Sequence, residues 1–107
     1  IALLFTSTWD EPYGLTIAES LASGTPVVSW NKGAAPEILT NKTGRVVAPF
    51  NMVEFQNALR EIEVLDRRDC RMRAIEFCSV EKMVNGYLDL YTRILKPKNS
   101  LNLQEVC

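Results

Sequence analysis

The first thirty residues follow the order strand, loop, helix, strand, and this order constrains the fold more than any other feature. Residues 1–5 form an apolar run typical of a buried strand. A helical pattern follows and stops at Gly24, and after Pro26 the apolar, partly β-branched residues 27–30 predict a second strand. Residues 45–47 are the third strand candidate. The sequence therefore predicts an α/β fold with a short parallel sheet of about three strands flanked by helices.

Composition and charge exclude several classes of function. At 107 residues, with 47% apolar and 23% charged residues, the chain is one ordinary soluble domain at most. The net charge of -1 gives no field that would attract nucleic acid, so no nucleic-acid partner is predicted. The three cysteines show no CxxC spacing, which favours a reduced, cytoplasmic setting. The chain contains no histidine, which excludes Ser-His-Asp and Cys-His chemistry within it, and no metal site is predicted.

The second half of the sequence predicts three helices that support the sheet. Asn51 and Glu54 form a capping-box pattern at the first of them. Asp66 can cap a second helix that runs to about residue 77, and Ser79 can cap a third. Four arginines on the second helix predict a solvated face: Arg67, Arg68, Arg71 and Arg73. The third helix carries an apolar stripe, which we expect to pack on the sheet rather than contact a membrane or a partner: Val80, Met83, Val84, Tyr87, Leu88, Tyr91, Ile94 and Leu95.

The N-terminal end of the sequence predicts a fragment of a longer α/β protein. The chain begins at Ile1 directly in a strand pattern, and this run is far too short for a signal peptide or a membrane span. A buried parallel strand needs neighbours on both sides, and only two more candidate strands follow. We therefore expect part of the fold to lie upstream.

Two glutamates flank a Pro-x-Gly turn that opens into the first helix. Glu11 lies in the loop, and Glu19 lies one turn into the helix. In open α/β sheets, phosphorylated ligands bind where such a loop meets a helix N-terminus. Carboxylates beside such a site would hold hydroxyl groups rather than phosphates. Taken alone, Glu19 could equally be a helix-start acid that satisfies the helix dipole, and Glu11 a solvated loop charge.

Turn glycines, prolines and a strand surround these acids in a specific order. The segments are Trp9-Asp10 followed by Glu11 to Glu19, then Ser20 to Val28, Gly33-Ala34-Ala35-Pro36-Glu37-Ile38, and Thr43-Gly44. Together they resemble the C-terminal domain of retaining glycosyltransferases of the two-Rossmann (GT-B) type, in the large glycosyltransferase group 1. The resemblance extends from residue 1 to about residue 95. It implies that the chain is the C-terminal part of a Rossmann-like domain.

The resemblance also implies a role for each residue of the loop and the helix start. Glu11 would contact the donor sugar and act as the catalytic residue, where a carboxylate favours positive charge developing at the anomeric carbon. Glu19 would bind the hydroxyl groups of the nucleotide ribose. The other donor-binding residues that it implies are Pro12, Tyr13, Gly14, Leu15 and Thr16, with the amides of the last three directed at the donor diphosphate.

Some positions depart from the family pattern or lie outside its ligand set. Tyr13 stands where phenylalanine is usual, which changes little. Gly33-Ala34 stands where a glycine pair is usual, which affects one backbone approach to the ligand. Glu37 is predicted to be the first-turn acid of a short helix rather than a ligand group. Residues 1–30 contain no lysine or arginine, whereas in the resembled family an upstream basic pair neutralises the diphosphate.

The resemblance implies two segments and several partners. Residues 1–95 would be a partial nucleotide-sugar-binding domain, and residues 96–107 a C-terminal tail. The implied activity is that of a retaining hexosyltransferase with a nucleoside diphosphate sugar as donor. Its acceptor, a carbohydrate, a lipid or another molecule, would bind a missing N-terminal domain. No cofactor is predicted, the expected location is cytoplasmic, and any membrane association would depend on the missing parts.

Two alternatives stay open on the sequence alone. The chain could be a catalytically incomplete nucleotide-sugar-binding or regulatory module that completes a partner subunit. It could also be another α/β protein with a phosphorylated ligand, such as an epimerase relative. An upstream Rossmann-like domain with a basic diphosphate pair would favour the enzyme over the module. Donor hydrolysis rather than transfer would distinguish the epimerase relative.

Overall fold

The computed structural model describes residues 1–96 and places a parallel sheet between two layers of helices. Three strands pair in the order β1-β2-β3, with Leu3 beside Val27 and Val27 beside Gly44. The elements, in chain order, are β1 Leu3–Phe5, α1 Leu15–Ala22, β2 Val27–Trp30, α2 Ala35–Ile38, β3 Gly44–Val47, α3 Met52–Glu61, a 3₁₀ turn Ile62–Val64, α4 Arg67–Cys78 and α5 Val80–Leu95. The predicted fold class and all three strands are confirmed, although β1 is shorter than the predicted residues 1–5.

The core lies on both faces of β2, which is buried at every position. Since side chains of a strand alternate between faces, Val27 packs on one side with α1, α2 and α4. Val28 and Trp30 pack on the other side with α3, where the Trp30 and Phe55 rings lie 4.5 Å apart between centroids. This arrangement explains why the segment 27–30 reads as an apolar run with no polar alternation except Ser29.

Side-chain caps start α3, α4 and α5 at the predicted residues. Asn51 Oδ1 accepts from the Glu54 amide at 3.1 Å. Asp66 Oδ1 accepts from the Arg68 amide at 2.8 Å, and Ser79 Oγ accepts from the Lys82 amide at 3.1 Å. These caps satisfy backbone N–H groups that the first helical turn leaves without partners.

The predicted capping box at α3 is only half formed. Glu54 does not reach back to the Asn51 amide, because that amide donates to the Ala48 carbonyl at 3.1 Å. Instead, Glu54 Oε2 accepts from the Ala48 amide at 3.2 Å. The Asn51 amide, which a full capping box would use, already has an acceptor in the turn after β3. The Glu54 carboxylate therefore accepts from the Ala48 amide, at the start of that turn.

The arginines of α4 do more than form the predicted solvated face. Arg71 donates to the Ala22 carbonyl at the end of α1, at 2.8 Å. Arg73 donates to the carbonyls of Glu37 and Ile38 at the end of α2, both at 2.8 Å. Cationic side chains at helix C-termini donate to carbonyls that have no intrahelical partner. They also interact favourably with the negative end of the helix dipole. The α4 arginines therefore tie α1 and α2 to α4.

The expectation that the apolar stripe of α5 packs on the sheet is wrong. No side chain of α5 is buried, and its residues Tyr87 and Leu88 are more than half exposed. Ser79 alone separates α5 from α4, and its extended backbone turns α5 away from the core. The sheet face that α5 would need is already covered by α1 and α4. Within residues 1–96, no helix combines the length and apolar character that crossing a membrane requires.

The predicted boundary between the domain and the tail falls at the end of α5, which is Leu95. Of the predicted tail 96–107, only Lys96 is among the described residues. Cys107 and the rest of the tail lie outside them, so the division into two segments stays a prediction.

Replacing Asn51 with Ala tests the first of the helix caps. We expect the free energy of unfolding to fall by about 1 kcal/mol, because the Glu54 amide loses its acceptor. Urea unfolding followed by circular dichroism measures the change. Asn57→Ala is the matched control, since Asn57 is exposed within the same helix and alanine has the higher helix propensity. Equal losses in the two variants would contradict the capping role.

Candidate functional site

The loop 6–14 carries the chain from the carboxyl end of β1 to the start of α1. Gly14 is the N-cap of α1, with left-handed backbone angles (φ 79°, ψ 51°), and no side chain of the described residues caps the helix. The first helical hydrogen bond runs from the Ala18 amide to the Gly14 carbonyl at 3.1 Å. The amides of Leu15, Thr16 and Ile17 therefore have no acceptor within the helix. Such a helix start can bind an anion.

Gly14 is buried, and its surroundings explain the residue type. A Cβ atom there would lie 3.2 Å from Ile38 Cδ1 and 3.4 Å from Ile17 Cδ1. Left-handed backbone angles also disfavour any residue with a side chain. The constraint on Gly14 thus comes from its backbone and from the packing of α2. The predicted direction of the Gly14 amide toward a donor diphosphate stays a prediction.

Glu11 is held by the loop that follows β2. The Glu11 carbonyl accepts from the Ala34 amide at 2.8 Å, and the Gly33 amide donates to Asp10 Oδ1 at 3.1 Å. The side chain of Glu11 is half-buried. The sequence related the Gly33-Ala34 pair to one backbone approach to the ligand, which stays a prediction, and gave Asp10 no role. The structure shows that Gly33 and Asp10 join two loops at the carboxyl edge of the sheet.

Glu19 lies on the exposed side of α1, along a groove of about 380 Å³. We name it the Glu19 groove; its walls are α1, α4 and the start of α5, and its residues include Tyr13, Leu15, Glu19, Arg71 and Cys78. The predicted site residues Tyr13, Leu15 and Glu19 thus come together. An exposed carboxylate on a groove can accept two hydrogen bonds from neighbouring hydroxyl groups.

A second groove, of about 250 Å³, also has Tyr13 in its lining. We name it the Pro12 groove; its residues include Pro12, Tyr13, Ala34, Ile38, Phe77 and Met83. Tyr13 and Cys78 line both grooves. Glu11 and Thr16 line neither of them, so the structure divides the predicted site residues instead of gathering all of them in one cavity.

Folding adds to the Glu19 groove a cation that the neighbouring sequence does not supply. Asp10, Glu11 and Glu19 are the acids close in sequence to the helix start, and residues 1–30 contain no lysine or arginine. Folding brings Arg71 of α4 into the Glu19 groove, where its guanidinium also bonds the end of α1. This cation is distant in sequence, and no local motif marks it.

The cysteine thiols within residues 1–96 are poor candidates for catalysis. Burial raises the pKa of the Cys78 thiol, against the opposing effect of the Arg73 guanidinium. Burial likewise raises the pKa of the Cys70 thiol. Both thiols are therefore protonated at neutral pH, whereas nucleophilic catalysis needs the thiolate. In the same described range, no three His, Cys, Asp or Glu side chains converge as a metal site requires.

Known proteins resemble this chain in sequence and in fold. The family described as glycosyl transferases group 1 matches residues 1–77. An uncharacterized 41.2 kDa protein in the cps region of Klebsiella pneumoniae is 29% identical over 100 residues, covering 83% of this chain and 26% of the relative. The crystal structure of TarM matches with a TM-score of 0.60 at 24% identity, covering 84% of this chain and 20% of that chain.

The three comparisons support different conclusions. At 24% identity, the likeness to TarM shows the fold alone, and it agrees with the parallel sheet and its helices. The chain spans about a quarter of the length of the curated relative that it matches. The family match, by contrast, covers most of the chain and includes all three strands, Glu11 and Glu19. This chain belongs to the group 1 glycosyltransferase family.

Proposed function

We propose that the chain is the donor-binding part of a retaining glycosyltransferase that transfers a hexosyl group from a nucleoside diphosphate sugar to an acceptor. The observation that carries the proposal is the uncapped start of α1 with one carboxylate on each side of it. Leu15 and Thr16 lie at that start, Glu11 precedes it, and Glu19 follows it by one turn. A phosphorylated, hydroxyl-rich ligand complements this arrangement.

The diphosphate is assigned to the start of α1. Helix amides without acceptors, together with the positive end of the helix dipole, favour a bound anion. Gly14, Leu15 and Thr16 supply the amides in this proposal. Pro12 and Tyr13 form the part of the loop that faces the grooves. Both residues line the Pro12 groove, and Tyr13 also lines the Glu19 groove.

The two acids are assigned different parts of the donor. Glu19 would accept hydrogen bonds from the ribose hydroxyls, which fits its exposure on an open groove. Glu11 would contact the donor sugar and stabilise positive charge as it develops at the anomeric carbon. The Ala34 amide holds the Glu11 backbone, which restricts the positions that the carboxylate can reach, and a carboxylate positioned in advance stabilises a transition state better than one that must reorganise.

Retention follows from the proposed course of the reaction. The bond between the anomeric carbon and the diphosphate oxygen breaks, and the acceptor oxygen attacks the face that the leaving group has vacated. The acceptor proton passes to the departing diphosphate. No protein nucleophile is required, which agrees with the protonated thiols of Cys70 and Cys78.

The remaining partners are proposed to lie outside the chain. Since the chain spans about a quarter of its curated relative, we assign the acceptor site and the basic pair that neutralises the diphosphate to other parts of the protein. The acceptor class stays open between a carbohydrate, a lipid and another molecule. One alternative stays open, a nucleotide-sugar-binding module that has no turnover of its own and completes a partner subunit.

Glu19→Gln tests the ribose assignment. Because a charge-assisted hydrogen bond is lost, we expect the binding of free UDP or GDP by the full-length protein to weaken by about 1 to 3 kcal/mol. Isothermal titration calorimetry measures the affinity. Glu63→Gln is the matched control, since this exposed acid lies near Ile1 and Pro26, at the opposite edge of the sheet. Unchanged affinity in the folded Glu19→Gln variant would contradict the ribose assignment and would leave Glu19 only an interaction with the helix dipole.

Glu11→Gln tests the division of roles between the acids. We expect sugar transfer from UDP-glucose or GDP-mannose to fall strongly, while the affinity for free UDP or GDP stays nearly unchanged. The reason is that the proposed partner of Glu11 is the sugar, and the sugar is absent from the free diphosphate. A radiolabelled-donor assay and calorimetry provide the two readouts. Equal losses in transfer and in diphosphate affinity would contradict the assignment.

The 107-residue chain alone is expected to transfer no sugar and to bind a nucleotide sugar weakly. Only helix amides and hydroxyl contacts would hold the donor, and nearby acids oppose the diphosphate, so we expect a dissociation constant on the order of 1 mM. Calorimetry with UDP-glucose and GDP-mannose, and a radiolabelled-donor assay, provide the measurement. Micromolar binding with turnover would show that the chain is functionally complete. Micromolar binding without turnover would favour the module.

A further inference from the structure

We propose that Gly33 and Asp10 are positioning residues that set the location of Glu11 for sugar transfer. The inference rests on the proposed function, because it assumes that Glu11 acts on the donor sugar. The role proposed here requires no contact of either residue with the donor. Their action would pass through the backbone of Glu11, which the loop after β2 holds at the carboxyl edge of the sheet.

Three contacts fix this backbone. The Glu11 carbonyl accepts from the Ala34 amide at 2.8 Å, and Asp10 Oδ1 accepts from the Gly33 amide at 3.1 Å. The Cα of Gly33 also packs against the Glu11 backbone so closely that an added Cβ would overlap both its N and its O atoms. The two loops therefore meet backbone to backbone, with no space for a side chain between them.

Gly33 differs from the other glycines with left-handed backbone angles. Its φ is 54°, and the atoms that a Cβ would meet belong to backbone, which cannot rotate away. At Gly14, the nearest atoms are side-chain ends of isoleucines. At Gly24, the nearest atom is the Arg67 carbonyl at 3.2 Å, and this contact lies at the end of α1 away from Glu11. Only the Gly33 contact bears directly on Glu11.

The loop that holds Glu11 is itself anchored to β3 through Val47 and to β2 through Trp30. The Asn31 amide donates to the Val47 carbonyl at 2.7 Å, and the Lys32 amide donates to the Trp30 carbonyl at 2.8 Å. The Ala35 amide then donates to the Lys32 carbonyl at 3.3 Å, where α2 begins. Within its own loop, the Glu11 amide donates to the nearby Trp9 carbonyl at 3.1 Å. The contacts with Gly33 and Ala34 are the ones that set the position of Glu11 relative to β2.

Gly33→Ala in the full-length protein tests the proposal, with UDP-glucose and GDP-mannose as donors and free UDP and GDP as binding probes. We expect kcat for transfer to fall about 100-fold, since small displacements of a catalytic group have effects of that size. The affinity for free UDP or GDP should stay within about twofold, because the start of α1 is unchanged. Gly24→Ala is the matched control. It places the same side chain on left-handed backbone and should lose stability while keeping kcat.

Two further comparisons separate positioning from general damage. In the Glu11→Gln background, Gly33→Ala should lower kcat by less than about threefold, because two changes that act through one group are not additive. Asp10→Ala removes the acceptor without any overlap and should lower kcat several-fold. Asp10→Asn keeps an acceptor oxygen and should restore transfer. The variants Asp10→Ala and Asp10→Asn still test the proposal if Gly33→Ala does not fold.

Several outcomes would overturn the inference. One is an equal fold reduction in kcat for Gly33→Ala in the wild-type protein and in the Glu11→Gln background. Another is a loss of UDP or GDP affinity as large as the loss of transfer. If Glu11→Gln lowers transfer while Gly33→Ala and Asp10→Ala leave it unchanged, the inference fails and the proposed function stands. If Glu11→Gln leaves transfer unchanged, both the inference and the role of Glu11 fail.

Discussion

The structure depends on the burial of β2 between two strands and two helical layers. Val27 and Val28 point to opposite faces and are fully buried, and each residue of the strand pairs with β3. Burying such side chains is worth about 1.5 to 3 kcal/mol each. The loop that leaves β2 carries Gly33 and Ala34, which hold Glu11. β2 therefore stabilises the fold and also anchors the loop that contacts Glu11 in the candidate site.

Local features of the fold could be predicted from the sequence, whereas the packing of one helix could not. The caps at Asn51, Asp66 and Ser79 depend on a side chain and an amide two or three residues away, so sequence spacing suffices. The apolar stripe of α5 was expected on the sheet, but an apolar stripe says only that a helix has a face to cover. Which surface is free depends on α1 and α4, and sequence spacing cannot give that.

The candidate site shows the same limit. The two acids and the helix start lie within nine residues, 11–19, and the motif located them. Gly33 contacts Asp10 and the Glu11 backbone from a separate loop, and Arg71 lines the Glu19 groove from α4. Gly33 had a signal in the sequence, its place in a turn, but its close approach to the Glu11 backbone depends on how two distant loops meet. Arg71 was one of several surface arginines and had no distinguishing signal.

Ligand-observed NMR on the full-length protein tests the donor site most directly. Saturation-transfer difference spectra would be recorded for UDP-glucose, UDP-N-acetylglucosamine, ADP-glucose and GDP-mannose, with wild type and Glu19→Gln in parallel. The account predicts that at least one of these nucleotide sugars gives signals on its ribose protons, that the matching free diphosphate displaces it, and that the Glu19 variant loses those signals. Ribose signals of equal strength in the variant, or no binding of any nucleotide sugar, would contradict it.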